Sequence, residues 1–329
     1  MGRKYKWGVL GAGKMSAKFT KGLNLLPNAE LYSVGSRDPG RSEQFARENG
    51  YQRSYGSYEE FVADPQLDIV YIATPHTSHY ENTFLCLNNG KNVICEKAFS
   101  LNHREVTEMV NLARKKKLFL MEALWPPFQP FYNKAIEILA SGVLGRLTNM
   151  HSWFSFKPPY DPNDRKFNLA LGGGSLLDIG IYPVIDCLTF MGVPDEVKTV
   201  ASFAPTGSEE SLNAIFKYND GRLASLYSSF KTNTGIGCTL YCENGNMTVA
   251  RGRDMNQHVV LELNGQERQE FIFTPEAMGY HWEAEEVMKC LDAGLTESPV
   301  VPLGFSLDLM KTLDRIRESA GITYPGRDK

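Results

Sequence analysis

Lys6-Trp7-Gly8-Val9-Leu10-Gly11-Ala12-Gly13-Lys14-Met15-Ser16-Ala17 decides the fold, because an apolar strand runs straight into two closely spaced glycines and then a helix-forming stretch. In that context each glycine has a task. Gly11 permits the tight turn, and Gly13 lets the backbone approach a pyrophosphate at the helix N-terminus, where N–H groups lack partners. The third glycine position holds Ser16, small enough for close helix–strand packing. Gly11, Ala12, Gly13, Lys14 and Met15 are the first expected cofactor contacts.

Working outward, apolar runs at 29–36, 69–73, 92–95 and 118–122 alternate with amphipathic segments such as 41–49 and 104–117. That alternation predicts βαβ units on a parallel sheet, an N-terminal Rossmann domain over residues 1–124. The basic run Arg114-Lys115-Lys116-Lys117 is read as a helix end, where cations complement the dipole. After Trp125 the texture changes. Prolines at 126, 127 and 130 break the pattern, and a helix follows around 132–141. Period-2 patterns then predict strands at 147–156, 197–203, 212–218, 222–230, 238–242, 247–250, 259–263 and 271–273, with Asn219-Asp220-Gly221 and Asn244-Gly245 as hairpin turns. Helices are expected from after the triple glycine at 172–174 to about 191, and over 282–291. The fold class is α/β: the Rossmann parallel-sheet domain, then over residues 125–329 an α+β domain with a large, mostly antiparallel open sheet for substrate binding and oligomerisation.

The 329 residues carry 35 Lys plus Arg against 38 Asp plus Glu, a net charge of −3. This balance gives no reason to expect nucleic acid or an anionic membrane surface as partner. With 42% hydrophobic residues the chain has enough apolar mass for a real core. The six cysteines are scattered and read as buried, reduced thiols. No run is read as a membrane span, and the apolar stretch after the basic Met1-Gly2-Arg3-Lys4-Tyr5-Lys6 is too short for a signal peptide. A cytoplasmic location is expected.

The second predicted strand ends Val34-Gly35-Ser36-Arg37-Asp38. The Ser36 hydroxyl and Arg37 guanidinium suit a 2′-phosphate, which favours NADP over NAD, with Asp38 the alternative ribose ligand. Thr74-Pro75-His76-Thr77-Ser78-His79 follows the third strand, and lining the cofactor groove is preferred to metal binding for His76 and His79. No metal is expected. Glu96-Lys97 closes the fourth strand at a carboxyl end, where α/β sheets bind ligands. In Gly172-Gly173-Gly174-Ser175-Leu176-Leu177-Asp178-Ile179-Gly180-Ile181-Tyr182-Pro183, Asp178 and Tyr182 share a helical face. Ser175-x-x-Asp178 reads as a capping box and Pro183 as a kink. A phenol near pKa 10 needs a cation to act at neutral pH, and Lys97 is the candidate.

Together, Gly11-Ala12-Gly13, Thr74-Pro75-x-x-x-His79, Glu96-Lys97 and the triple-glycine segment through Tyr182 resemble the glucose–fructose oxidoreductase/inositol dehydrogenase (Gfo/Idh/MocA) family over essentially the whole chain. Arg37, Trp125, Trp153-x-x-Phe156 and the tyrosine at 182 are similar to its branch of dimeric dihydrodiol dehydrogenases, which also act as NADP-dependent D-xylose dehydrogenases. The resemblance implies hydride transfer between a nicotinamide and a hydroxyl-bearing carbon of a cyclic polyol, an aldose or trans-dihydrodiol. It implies Tyr182 as acid/base, Lys97 assisting it, Asp178 in support, Trp125 and Phe154 lining the substrate pocket, and Arg165 near nicotinamide or substrate. Phe128 and Trp153 are further candidates for stacking on a ring. A homodimer through the second-domain sheet is expected. Ala98 stands where the family has proline, and Pro126-Pro127-Phe128 where an arginine-containing stretch is usual. Alternatives are a keto-sugar or inositol enzyme of the family, a cofactor-retaining glycosidase, or a non-catalytic nicotinamide-binding regulator.

Overall fold

The computed structural model describes residues 3–251 and 256–328, so Met1 and Gly2 of the basic N-terminal run lie outside the described residues. Contacts divide the chain into two units, Met1–Phe128 with Glu276–Leu307, and Gln129–Pro275 with Asp308–Lys329.

In the first unit β1 (Tyr5–Leu10), α1 (Lys14–Leu23), β2 (Ala29–Gly35), α2 (Pro39–Asn49), β3 (Arg53–Tyr55), α3 (Tyr58–Ala63), β4 (Ile69–Ile72), α4 (His79–Asn88), β5 (Asn92–Glu96), α5 (His103–Lys116) and β6 (Leu120–Ala123) follow in order. The strands form one sheet in the order β3-β2-β1-β4-β5-β6, every pair parallel. Chain order reverses between β1 and β4, the switch point where such sheets take a dinucleotide. Trp7, Val9, Leu10 and all of Ile69–Ile72 are buried, as interior parallel strands require. α1 buries Ser16, Phe19, Thr20 and Leu23, a stripe at helical spacing. The basic run does end α5, whose last turn holds Arg114, Lys115 and Lys116.

A boundary is expected between 124 and 125; contacts break the chain after Phe128 and group 276–307 with the first unit. Its helix α8 (Tyr280–Asp292) packs so closely on α1 that a Cβ at Gly22 would stand 2.7 Å from the backbone nitrogen of His281. The β6 edge is also occupied, the N–H of Leu120 donating to the carbonyl of Thr296 at 3.1 Å. A helix face and a sheet edge in the first unit are thus covered by chain from far downstream.

The second unit holds α6 (Pro130–Ala140), β7 (Leu147–Ser155), α7 (Ile181–Met191), then β8 (Glu196–Phe203), β9 (Glu209–Lys217), β10 (Leu223–Ser229), β11 (Gly235–Cys242), β12 (Gly245–Arg251), β13 (Gln257–Leu263) and β14 (Gln269–Phe273). From Asp308 on, the helix α9 (Leu303–Ala320) belongs to this unit. The sheet order is β14-β13-β12-β11-β7-β10-β9-β8, antiparallel except for the parallel β7–β10 pair. One face is buried by Met150, Ala214, Phe216, Ala224, Leu226 and Leu240. Its neighbours in the pleat, Val200, Ile215, Leu223 and Tyr241, are exposed. Leu169–Met191 is long and apolar enough to cross a membrane, contrary to the expectation of no such run. However, 89% of its apolar window is buried inside the protein, so core packing accounts for its composition.

Candidate active site

The glycine turn after β1 has the predicted form. Gly11 holds φ +106°, and a Cβ there would stand 2.9 Å from the Ala73 carbonyl oxygen. Gly13, the α1 N-cap, has ordinary extended dihedrals, and a Cβ on it would meet nothing within 4 Å. Protein packing therefore does not demand glycine at 13. Ser16 does more than fit the third position, because its hydroxyl donates to the Gly11 carbonyl and ties the turn to the helix. Lys14 is exposed beside the turn and Met15 half-buried.

At the end of β2, Ser36 is buried and Arg37 exposed. The Asp38 carboxylate caps α2 by accepting from the Arg41 N–H at 3.2 Å, so the alternative ribose ligand is engaged locally. Arg41, missed in the sequence, donates from Nη2 to the Ala12 carbonyl at 3.2 Å. Burial pushes the Tyr58 phenol up, while Arg37, through charge and a hydrogen bond, and the Arg41 charge pull it down. Of the two guanidinium groups, Arg41 is the one with a hydrogen bond to the glycine turn.

His79 is fully buried, with Nδ1 2.8 Å from the Ala98 carbonyl oxygen and Nε2 2.8 Å from that of Thr74. It clasps the β4 and β5 ends together, and burial pushes its pKa down. The Thr74 hydroxyl accepts from Asn82 at 3.0 Å, and Pro75 precedes the single turn His76–Ser78 that sets His76 edge-on to His79. Among the described residues no group of three or more His, Cys, Asp or Glu could hold a metal ion. Lys97 is half-buried and followed by a cis peptide bond to Ala98. Glu96 accepts from the Tyr71 hydroxyl. Glu122 on β6 accepts from the Phe99 N–H at 2.9 Å, and burial pushes it up to about 8. Trp125 is buried, its indole N–H donating 2.8 Å to the Met278 carbonyl. Ala277 and Met278 hold left-handed dihedrals, φ +46° and +59°.

In the second unit a one-turn π-helix, Leu176–Gly180, precedes α7, so the irregularity expected at Pro183 is a π-turn just upstream. The capping box does not form. Ser175 has helical dihedrals and bonds Ser228 at 2.9 Å, while Asp178 takes both guanidinium nitrogens of Arg165 at 2.9 and 3.4 Å. Tyr182, half-buried, meets the Phe154 ring edge-on at 5.4 Å. Phe154 and Phe156 pack on a core of Phe167, Ile179, Ala204 and Phe230. Trp153 points to the opposite sheet face and stacks on His151 at 5.3 Å, so the pleat separates it from Phe154 and Tyr182.

The model of an oxidoreductase family with an NAD-binding Rossmann fold matches residues 5–124, and the GFO/IDH/MocA C-terminal domain matches 132–248. Trans-1,2-dihydrobenzene-1,2-diol dehydrogenase of Mus musculus is 34% identical, with 97% of this chain and 98% of that protein covered. The Bos taurus enzyme of that name is 35% identical over the same shares. Among solved structures, a 3-ketoreductase from Actinomadura kijaniata in complex with NADP and TDP-benzene superposes with TM-score 0.88 at 22% identity, covering 97% of this chain and 98% of that one. Levoglucosan dehydrogenase in complex with NADH and levoglucosan gives 0.88 at 19%, covering 97% of each. Two domain matches in sequence and relatives alike from end to end place the chain in the Gfo/Idh/MocA family of oxidoreductases.

Proposed function

We propose that this chain is an NADP-dependent dehydrogenase of cyclic polyols, trans-dihydrodiols or aldoses. The observation that carries the reading is Tyr182, set on the π-turn helix against a wall of aromatic rings, in a chain alike end to end to dihydrodiol dehydrogenases. Bound dinucleotide supplies the hydride acceptor for the oxidised carbon. Gly11, Gly13 and the first turn of α1 hold the pyrophosphate, and Thr74, Pro75, His76 and Glu96 line the groove, while His79, expected to line it too, is fully buried and braces the strand ends instead.

Tyr182 exchanges the proton of the substrate hydroxyl through its phenolic oxygen. Lys97 lowers the cost of its deprotonated form and orients that hydroxyl. Asp178, held by Arg165, fixes the start of the helix that bears Tyr182. Trp125 and Phe154 present apolar rings to the substrate ring. The preference for NADP rests on exposed Arg37 just after β2, on Arg41 bonded to the Ala12 carbonyl, and on Asp38 being engaged in capping. Two copies of the chain pair through the exposed face bearing Val200, Ile215, Leu223 and Tyr241.

A spectrophotometric screen of trans-dihydrodiols, aldoses and inositols with NADP+ and NAD+ tests the reading. Reduction of NADP+ by a dihydrodiol or an aldose is expected. Absence of turnover with every polyol would sink it, and glycoside cleavage without net absorbance change would favour the glycosidase alternative.

A further inference from the structure

The helix that bears Asp178 and Tyr182 starts without a cap of its own. The Ser175 hydroxyl makes no bond to a helix N–H group and is paired with Ser228. The buried N–H of Leu176 finds its partner 33 positions later, in the carboxyl group of Glu209 at the start of β9. Glu209 is 1% exposed. The backbone is cut away to admit it, for a Cβ on Gly174 would stand 2.0 Å from Glu209 Oε2, and Gly174 holds φ +141°. The last residue of the triple glycine is thus glycine partly because a carboxyl group fills the space a side chain would need.

The same strand pair grips the turn elsewhere. A Cβ on Gly180 would stand 2.9 Å from the Ser228 hydroxyl, so the far end of the π-turn lies directly on β10. An i→i+5 turn is a rare and local departure from α geometry, so contacts from outside decide which residue faces where. Burial pushes Glu209 up to about 8, against the pull of the Leu176 N–H, the Ser175 hydroxyl and the Arg317 charge.

We propose that Glu209 is a positioning residue: by accepting the Leu176 N–H from the sheet it fixes the π-turn, and through it the placement of Asp178 and Tyr182. The inference rests on reading Tyr182 as the acid/base. Its test compares Glu209→Ala, Glu209→Gln and Tyr182→Phe in the full chain, assayed with D-xylose and NADP+, and by amide hydrogen exchange, which needs no substrate.

Glu209→Ala should lower kcat by about 10²-fold, the effect of misplacing a reacting group by about 1 Å, with NADPH affinity by fluorescence unchanged. Exchange should speed up over 176–182. Glu209→Gln should restore kcat and protection, because the amide oxygen accepts the same N–H. If the alanine protein fails to fold, Glu209→Asp, which withdraws the oxygen by one methylene, should show the same separation in milder form. A folded alanine or aspartate variant with wild-type exchange over 176–182 would overturn the proposal. So would a glutamine variant as impaired as alanine. Should Tyr182→Phe keep full turnover, the acid/base reading falls by itself, whatever the exchange at 176–182 shows.

Discussion

Asp186 sits on α7 one turn beyond Tyr182, buried, accepting from the Ser152 hydroxyl at 2.7 Å and the Tyr132 hydroxyl at 3.1 Å. These bonds fasten the tyrosine-bearing helix to β7 and α6. Burial pushes the carboxyl from its ordinary 3.8 up to about 6, against the pull of the Ser152 and Tyr132 hydroxyls and the Cys238 thiol. The sign follows from linkage. The folded pKa is raised, so the protonated form's stability is fully present below pH 3.8 and is lost as pH rises through 6. A difference of about 2 pKa values at about 1.4 kcal/mol each makes the ionised carboxylate cost about 3 kcal/mol at pH 8. Asp186→Asn removes that cost. Its oxygen keeps the role of acceptor, and Ser152, already 3.3 Å from the Gly237 carbonyl, can donate there and accept from the new amide. Allowing about 1 kcal/mol for imperfect pairing of the amide leaves a gain of about 2 kcal/mol at pH 8. Paired urea denaturations of both proteins at pH 4 and pH 8 check it. The gain should appear at pH 8 and vanish or change sign at pH 4, with turnover retained. A difference equal at both pH values would refute the reasoning, because Asp186 would then not titrate with folding.

Tyr182→Phe keeps the ring against Phe154 but removes the hydroxyl, so kcat should fall about 10²–10⁴-fold with NADPH affinity kept. Lys97→Met should likewise abolish most turnover, and near-normal rates in either variant would refute the assigned roles. Arg37→Ala should weaken NADP binding about 10–150-fold, the effect of about 1.5–3 kcal/mol, and leave NAD binding almost unchanged by titration. Equal loss for both cofactors would make Arg37 structural. Trp125→Phe strands the Met278 carbonyl and should lower stability in thermal melts by about 1–3 kcal/mol while raising the polyol KM. Light scattering coupled to gel filtration should give twice the chain mass, and 36.9 kDa at micromolar concentration would end the dimer proposal.

What could be read from the sequence is what a short window contains. The strand–glycine–helix opening, the helix end at Arg114–Lys117 and the turns at 219–221 and 244–245 are set by residues within a few positions of one another, and each appears as expected. β3 escaped because three residues, two of them exposed, carry no apolar run. The π-turn escaped because Pro183 signals an irregularity without saying where it will lie. Ser175 and Asp178 have the spacing of a capping box, yet Ser228 and Arg165 offer both side chains better partners. Those partners lie 53 and 13 positions away, beyond any local pattern.

The same division runs through the candidate site. Lys97, Asp178, Tyr182 and Arg37 could be put forward as candidates from the sequence because strand ends and glycine turns mark where reactive or binding groups are useful. Residues that hold them could not. Arg41 becomes visible only when α2 turns its first helical residues toward the Ala12 carbonyl. Met278 becomes visible only when a segment 153 positions away supplies its carbonyl to Trp125. Glu209 looks like any polar residue opening a strand until the fold buries it against Gly174. Chemistry is written in local motifs and precision in contacts between distant segments. Substitutions at the supporting residues should therefore impair turnover more than they alter which cofactor or polyol the protein accepts.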